Sequence, residues 1–93
     1  MIVGICSIGL RLAENHDLKG KRRVLKSVKD RVRGRFNVSI AEIGDLDAWQ
    51  RSTIGVACVS KDRDRVERTL AHVAAFIEEL HLARVETVQV ELL

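Results

Sequence analysis

The chain contains no proline and no tyrosine, and only one tryptophan and two phenylalanines among its 93 residues. With aromatics at 3%, it cannot present the paired aromatic rings on which sheet-face RNA readers stack bases. Its two cysteines are too few for a disulfide framework, so reduced thiols and a cytoplasmic setting are expected. No apolar run approaches the roughly 20 residues of a membrane helix. The amino terminus starts apolar and has neither a basic n-region nor a small-residue cleavage site, so no signal peptide is expected. No two of the six glycines are three apart, which excludes the Gly-x-x-Gly loop of a KH module. No linker or low-complexity tract interrupts the sequence.

What is present suits one folded domain over residues 1–93. The hydrophobic fraction is 46% and the charged fraction 31%, both ordinary for a globular chain. Net charge is +3, but it is unevenly placed. Residues 18–35 hold nine Lys/Arg against one acid, Asp30, a net of +8. The remainder holds seven basic and twelve acidic residues, a net of −5.

Residues 2–12 are rich in Ile, Val and Leu and read as a strand. It is apolar on both faces, with Ile2, Ile8, Leu10 and Leu12 on one side and Val3 and Ile5 on the other. Asn15 or Asp17 then caps a helix over 18–35, because a side-chain oxygen accepts an orphan backbone N–H there. At 100° per residue, Leu18, Leu25, Val28 and Val32 fall in one stripe between about 180° and 260°. Gly34 stands where glycine commonly closes a helix. Residues 36–43 alternate as a second strand with Phe36, Val38 and Ile40 inward. A third runs from Trp49 to Val59 after turn chemistry at 44–47. Residues 62–81 form a helix on Val66, Leu70, Val73, Ala74, Ile77 and Leu80, capped by Ser60 or Asp62. Val85 to Leu93 closes the chain as a strand. The order βαββαβ predicts an α+β, ferredoxin-like sandwich: a four-stranded antiparallel sheet in order 4-1-3-2 with two helices on one face.

Six cations of the first helix, Lys19, Arg22, Arg23, Lys26, Lys29 and Arg33, share an arc of about 120° opposite the apolar stripe. The bland reading is a solvated face. Arg31, Arg33 and Arg35 fit it, since cations near a helix C-terminus complement its dipole. Lys19, Lys21, Arg22 and Arg23 do not, because they crowd the already positive N-terminal turns. That arrangement suits a polyanion such as a nucleic-acid backbone, whose contacts set affinity and register rather than sequence. Lys19, Lys21, Arg22, Arg23, Lys26, Lys29 and Arg33 are therefore the candidate phosphate contacts. Gly20 in this turn would let a backbone approach closely.

Elsewhere, Cys6 and Cys58 lie in apolar runs on neighbouring strands and read as buried thiols. His16, His72 and His81 lack metal-ligand spacing, and no cofactor is expected. Trp49, beside Gln50 and Arg51, either folds back to cap the core or stands out as an anchor for a protein partner. Two carboxylates at Asp45 and Asp47 have no nucleophile, metal or phosphate-cradling loop beside them, so an enzyme is not expected. Because helices cover one sheet face, the other is a candidate homodimer surface.

The opening Met-Ile-Val-Gly, the stretch Asn15-His16-Asp17-Leu18-Lys19-Gly20-Lys21-Arg22-Arg23, then Arg35 to Ser39, Ala41-Glu42 and Asp47-Ala48-Trp49-Gln50 resemble the YlxP-like family over essentially the whole chain. These are small bacterial proteins of unknown function. Asp17 stands where the family pattern has Ser, and both residues cap helices. The resemblance implies a ferredoxin-like fold. Because the family's genes are often found beside translation and ribosome-maturation factors, it also implies an association with RNA or a ribosomal subunit. It carries over no catalytic residue.

Overall fold

Alternation in the first strand decides where the core goes. In β1 (Ile2–Arg11), Cys6, Ile8 and Leu10 are buried while their odd-numbered neighbours are not. The computed structural model describes all residues from Met1 to Leu93. The chain continues as α1 (Leu18–Arg35), β2 (Ser39–Gly44), β3 (Arg51–Ser60), α2 (Arg63–Glu79) and β4 (Arg84–Leu92). The strands form one antiparallel sheet in the order β2-β3-β1-β4. This is the ferredoxin-like order, read from the opposite edge.

The even-numbered residues of β1 and β3 face both helices. Ile8, Leu10, Ile54 and Val56 meet Leu25, Val28 and Val32 of α1 and Val66, Leu70, Val73 and Ile77 of α2 in a core cluster of 17 buried residues. At Gly4 the helical layer closes directly on the sheet: a Cβ there would collide with Val66 Cγ1 and lie 3.0 Å from Leu70. Glycine is what allows α2 to sit flush on β1.

Several boundaries differ from the sequence reading. Gly34 does not close α1; the helix runs to Arg35 and Phe36 caps it in an extended conformation, its N–H donating to Val32 O. Phe36 therefore precedes β2 rather than starting it. Its ring packs edge-on to Phe76 at 5.5 Å, with the Arg35 guanidinium 5.0 Å from the Phe76 centroid. This contact occupies Arg35 in packing and cation–π attraction. Helix α2 ends before His81, whose φ of 55° is left-handed and stops the helix. Strand β4 is an edge strand, and although Val88 and Val90 alternate as expected they stay 44% and 47% exposed. Only Val85 and Leu92 of that strand pack on the core.

Candidate nucleic-acid interface

The N-terminus of α1 is built by Asp17, whose carboxylate accepts from Gly20 N at 2.6 Å. Asp17 has extended backbone angles, as an N-cap requires. Gly20 is needed here for a reason internal to the protein. A Cβ at that position would run into the side-chain oxygens of Asn15 and Asp17, so the close approach is made by the protein's own cap and not by a ligand.

Around this end the first turn of α1 contains no acid. Lys19, Arg22 and Arg23 are exposed, and none of them takes part in an ion pair. One turn further on, Lys26 pairs with Asp30 at 2.7 Å. Arg33 reaches Asp30 at 3.6 Å and donates to Ile40 O at 3.1 Å. The hydrogen bond from Lys26, helped by the charges of Arg33 and Lys29, holds the Asp30 carboxyl below its ordinary range. Lys29 is half-buried and unpaired. The basic face thus divides into a free cluster at the N-terminus and a locally neutralised stretch around Asp30.

Lys21 does not belong to this face. It is 1% exposed, so the expectation that it contacts phosphate fails on burial alone. Its ammonium forms an ion pair with Glu42 Oε2 at 2.9 Å. It also donates to Asp45 O at 2.5 Å and Ala48 O at 2.7 Å. Ser52, itself buried, donates to the same Glu42 oxygen at 2.8 Å. A buried ammonium requires this many oxygens, because desolvation otherwise disfavours its charge. The sequence did carry a signal: on the helical wheel Lys21 lies at about 200°, inside the apolar stripe and opposite the other cations.

The loop that Lys21 grips, residues 45–50, is tied to the β1–α1 connection by further bonds. Asn15 Nδ2 donates to Trp49 O at 2.6 Å, Leu12 N donates to Gln50 O at 2.9 Å, and Gln50 Nε2 donates to Asn15 O at 3.1 Å. Asp45, at φ 58°, makes the tight reversal. The two loops form one latched platform beside the α1 N-terminus. Trp49 stands on it 54% exposed, so its ring does not cap the core. Arg51 is exposed at the first position of β3, on the sheet face without helices.

The thiols of Cys6 and Cys58 are free and buried. Burial pushes both above the ordinary thiol range. A group whose folded value is raised stabilises the fold fully below its unfolded pKa, and that contribution fades as pH rises through the folded value. Ionising these thiols thus opposes folding on the alkaline side. Thiol-reagent labelling at about pH 8.5 is expected to be slow for the native protein and prompt in urea; prompt native labelling would contradict this burial. No three His, Cys, Asp or Glu side chains gather as metal ligands, and no helix is long and apolar enough to cross a membrane.

Comparison with known proteins places the chain. Residues 3–91 match the model of the family described as protein of unknown function DUF503. The chain belongs to the DUF503 family. A DUF503 relative in Bacillus subtilis (strain 168), the uncharacterized protein YlxP, is 43% identical over 77 residues, covering 83% of this chain and 84% of that protein. Among solved structures, the Agrobacterium tumefaciens protein Atu4242 is similar with a TM-score of 0.51 at 12% identity, over 100% of this chain and 91% of that one. LarC2, the C-terminal domain of a cyclometallase involved in synthesis of the NPN cofactor of lactate racemase, is similar with a TM-score of 0.50 at 12% identity. That likeness spans 100% of this chain but 55% of the LarC2 chain. At such identities the two structures share with this DUF503 member a fold, and nothing is carried over about activity.

Proposed function

We propose that this protein is a non-enzymatic cytoplasmic accessory protein that binds structured RNA, in the first instance RNA of a ribosomal subunit, through the exposed face of α1. The observation that carries this reading is the cluster of Lys19, Arg22 and Arg23: exposed, unpaired, and crowded at the helix end where the dipole is already positive. Cations there are unfavourable to the fold and favourable to a phosphate, which also meets the helix N-terminus. Lys29, Lys26 and Arg33 extend the contact, the last two in exchange for their bonds to Asp30.

The test is binding of the purified protein to small ribosomal subunits and to structured RNA across a salt series. Log affinity is expected to fall linearly with log salt. Arg22→Ala/Arg23→Ala/Lys26→Ala is expected to flatten that slope by about three units, one for each phosphate contact removed. A slope near zero, or a triple variant that binds as the wild type does, refutes the reading.

A second reading is favoured by Trp49, a large ring held out on a latched loop. In it the protein is an interaction scaffold, or a homodimer through the open sheet face, where Val59 and Ile43 are also exposed. Trp49→Ala separates the two when partner pull-down is measured beside RNA binding: loss of the pulled-down partner with RNA binding intact favours the scaffold.

A further inference from the structure

Strand β4 ends the sheet on one side, so its outer row of N–H and C=O groups has no strand to pair with. Edges of this kind are normally blunted by proline, lysine or a bulge. β4 contains neither proline nor lysine. Its one irregularity falls near its start, where the register with β1 shifts between Gly9 and Leu10. From Thr87 to Val90 the strand carries no charge.

Val88 and Val90 stand opposite Ile8 and Cys6 and share their face of the sheet. Ile8 and Cys6 are buried in the core, whereas the two valines are nearly half exposed. The apolar layer on the helical side therefore runs one strand further than the helices cover. Helix α2 runs antiparallel to β4: Glu78 accepts from Val85 N at one end, and Val66 and Leu92 both border Gly4 at the other. The middle of the strand thus lies beside the middle of the helix. There Ala74 and Ala71 fall four and seven positions before Glu78, on the same flank. Their short side chains leave room for another helix alongside.

We infer that β4 is the contact of a two-fold homodimer, in which it pairs antiparallel with β4 of a second copy and joins the two sheets into one. Residues opposed across strands share a face, so the axis passes through a residue and not between two. With the axis at Gln89, Val88 of each copy opposes Val90 of the other, Thr87 opposes Glu91, and Gln89 opposes itself. An axis at Val88 sets Glu86 against Val90, and one at Thr87 sets Glu86 against Val88. An axis at Val90 also opposes apolar residues but pairs a shorter stretch of strand. The Gln89 register is therefore the longest that sets no carboxylate against a valine. It also separates charge on the open face. There Arg11 stands opposite Arg51 on β3 and Arg84 on β4, and the axis places the two copies' arginine rows about 30 Å apart. The dimer does not depend on α1 binding RNA or on Trp49, and it leaves the open sheet face of both copies free.

Sedimentation equilibrium across a micromolar range tests it. The wild type is expected at twice the chain mass of 10.4 kDa. Val88→Lys/Val90→Lys changes two exposed positions and is expected to weaken dimerisation at least about tenfold, with a wild-type circular dichroism spectrum. Gln89→Cys is expected to give a disulfide-linked dimer on mild oxidation, because the axis sets position 89 opposite its own copy. The wild type, whose Cys6 and Cys58 are buried, should stay unlinked under the same conditions. If Val88→Lys/Val90→Lys fails to fold, the Gln89→Cys crosslink decides alone. A monomeric wild type throughout the range, absence of the Gln89→Cys crosslink, or a dimer that survives Val88→Lys/Val90→Lys overturns the inference. Survival there with loss in Val59→Lys assigns the dimer to the open sheet face instead.

Discussion

Replacing Lys21 with methionine is expected to destabilise the protein by about 3–5 kcal/mol, although lysine on a helix usually lies at the surface. The side chain is buried at the junction of α1 with the loop 45–50. Methionine fills much of the same volume but leaves Glu42 without its cation and frees the carbonyls of Asp45 and Ala48. A half-buried carboxylate left without its cation, together with the freed carbonyls, dominates the loss, since removing one member of such a pair costs more than removing both. The double variant Lys21→Met/Glu42→Gln is therefore expected to recover part of the loss. Ser52 would then meet a neutral amide in place of the carboxylate it now bonds. Urea titration measures both effects. The fluorescence of Trp49, the only tryptophan, reports whether the loop loosens before the fold does. A Lys21→Met midpoint equal to the wild type would show that this network contributes nothing.

The second large effect is expected at Gly4. A valine there must displace Val66 and crowd Leu70 and Leu92, all of which lie within about one methyl group of the glycine. Val66 is β-branched and has little rotamer freedom in a helix, so relief has to come from lifting α2 off β1. Valine is favoured in strands by its own propensity, and an exposed strand glycine would be improved by it. Here overpacking of a close-packed core is expected to win and lower stability by about 3 kcal/mol. Alanine at the same position should cost less, because the clash is then limited to one atom. Melting temperatures that rise from Gly4→Ala to Gly4→Val would show that the helix yields easily.

These two residues mark where local pattern was informative and where it was not. The stripes of Leu25, Val28 and Val32 and of Val66, Leu70, Val73 and Ile77 predicted which helix faces meet the sheet, and the structure buries those residues. Period alone carries that information, because a helix repeats every 3.6 residues. β1 reads as apolar on both faces, and the structure is what puts Cys6, Ile8 and Leu10 inside. The α1 cap was legible as one of two neighbours, Asn15 or Asp17, since capping is a local matter, and the structure assigns it to Asp17. Gly34 misled because glycine closes helices only when the chain turns left-handed after them. Here Phe36 is drawn instead into an extended path by its packing on Phe76.

Among the site residues, charge type and position disagreed at Lys21, and position prevailed. The residue sits on the apolar stripe, so its ammonium had to find oxygens inside. They come from Glu42, Asp45 and Ala48, 21 to 27 positions away. Lys19, Arg22 and Arg23, off the stripe, remain at the surface as the wheel places them.

By itself the sequence determined the element order, the sheet order that follows from right-handed crossovers, and the concentration of positive charge on one helix. Each is a property of near neighbours along the chain or of a general rule of chain handedness. Tertiary structure alone decided that one of those cations is a buried clasp for a loop. It also decided that Arg11, Arg51 and Arg84, spread over more than seventy residues, stand shoulder to shoulder on the open face. Their alignment depends on strand register, which is set by how the whole sheet closes over its core and shifts at the irregularity between Gly9 and Leu10.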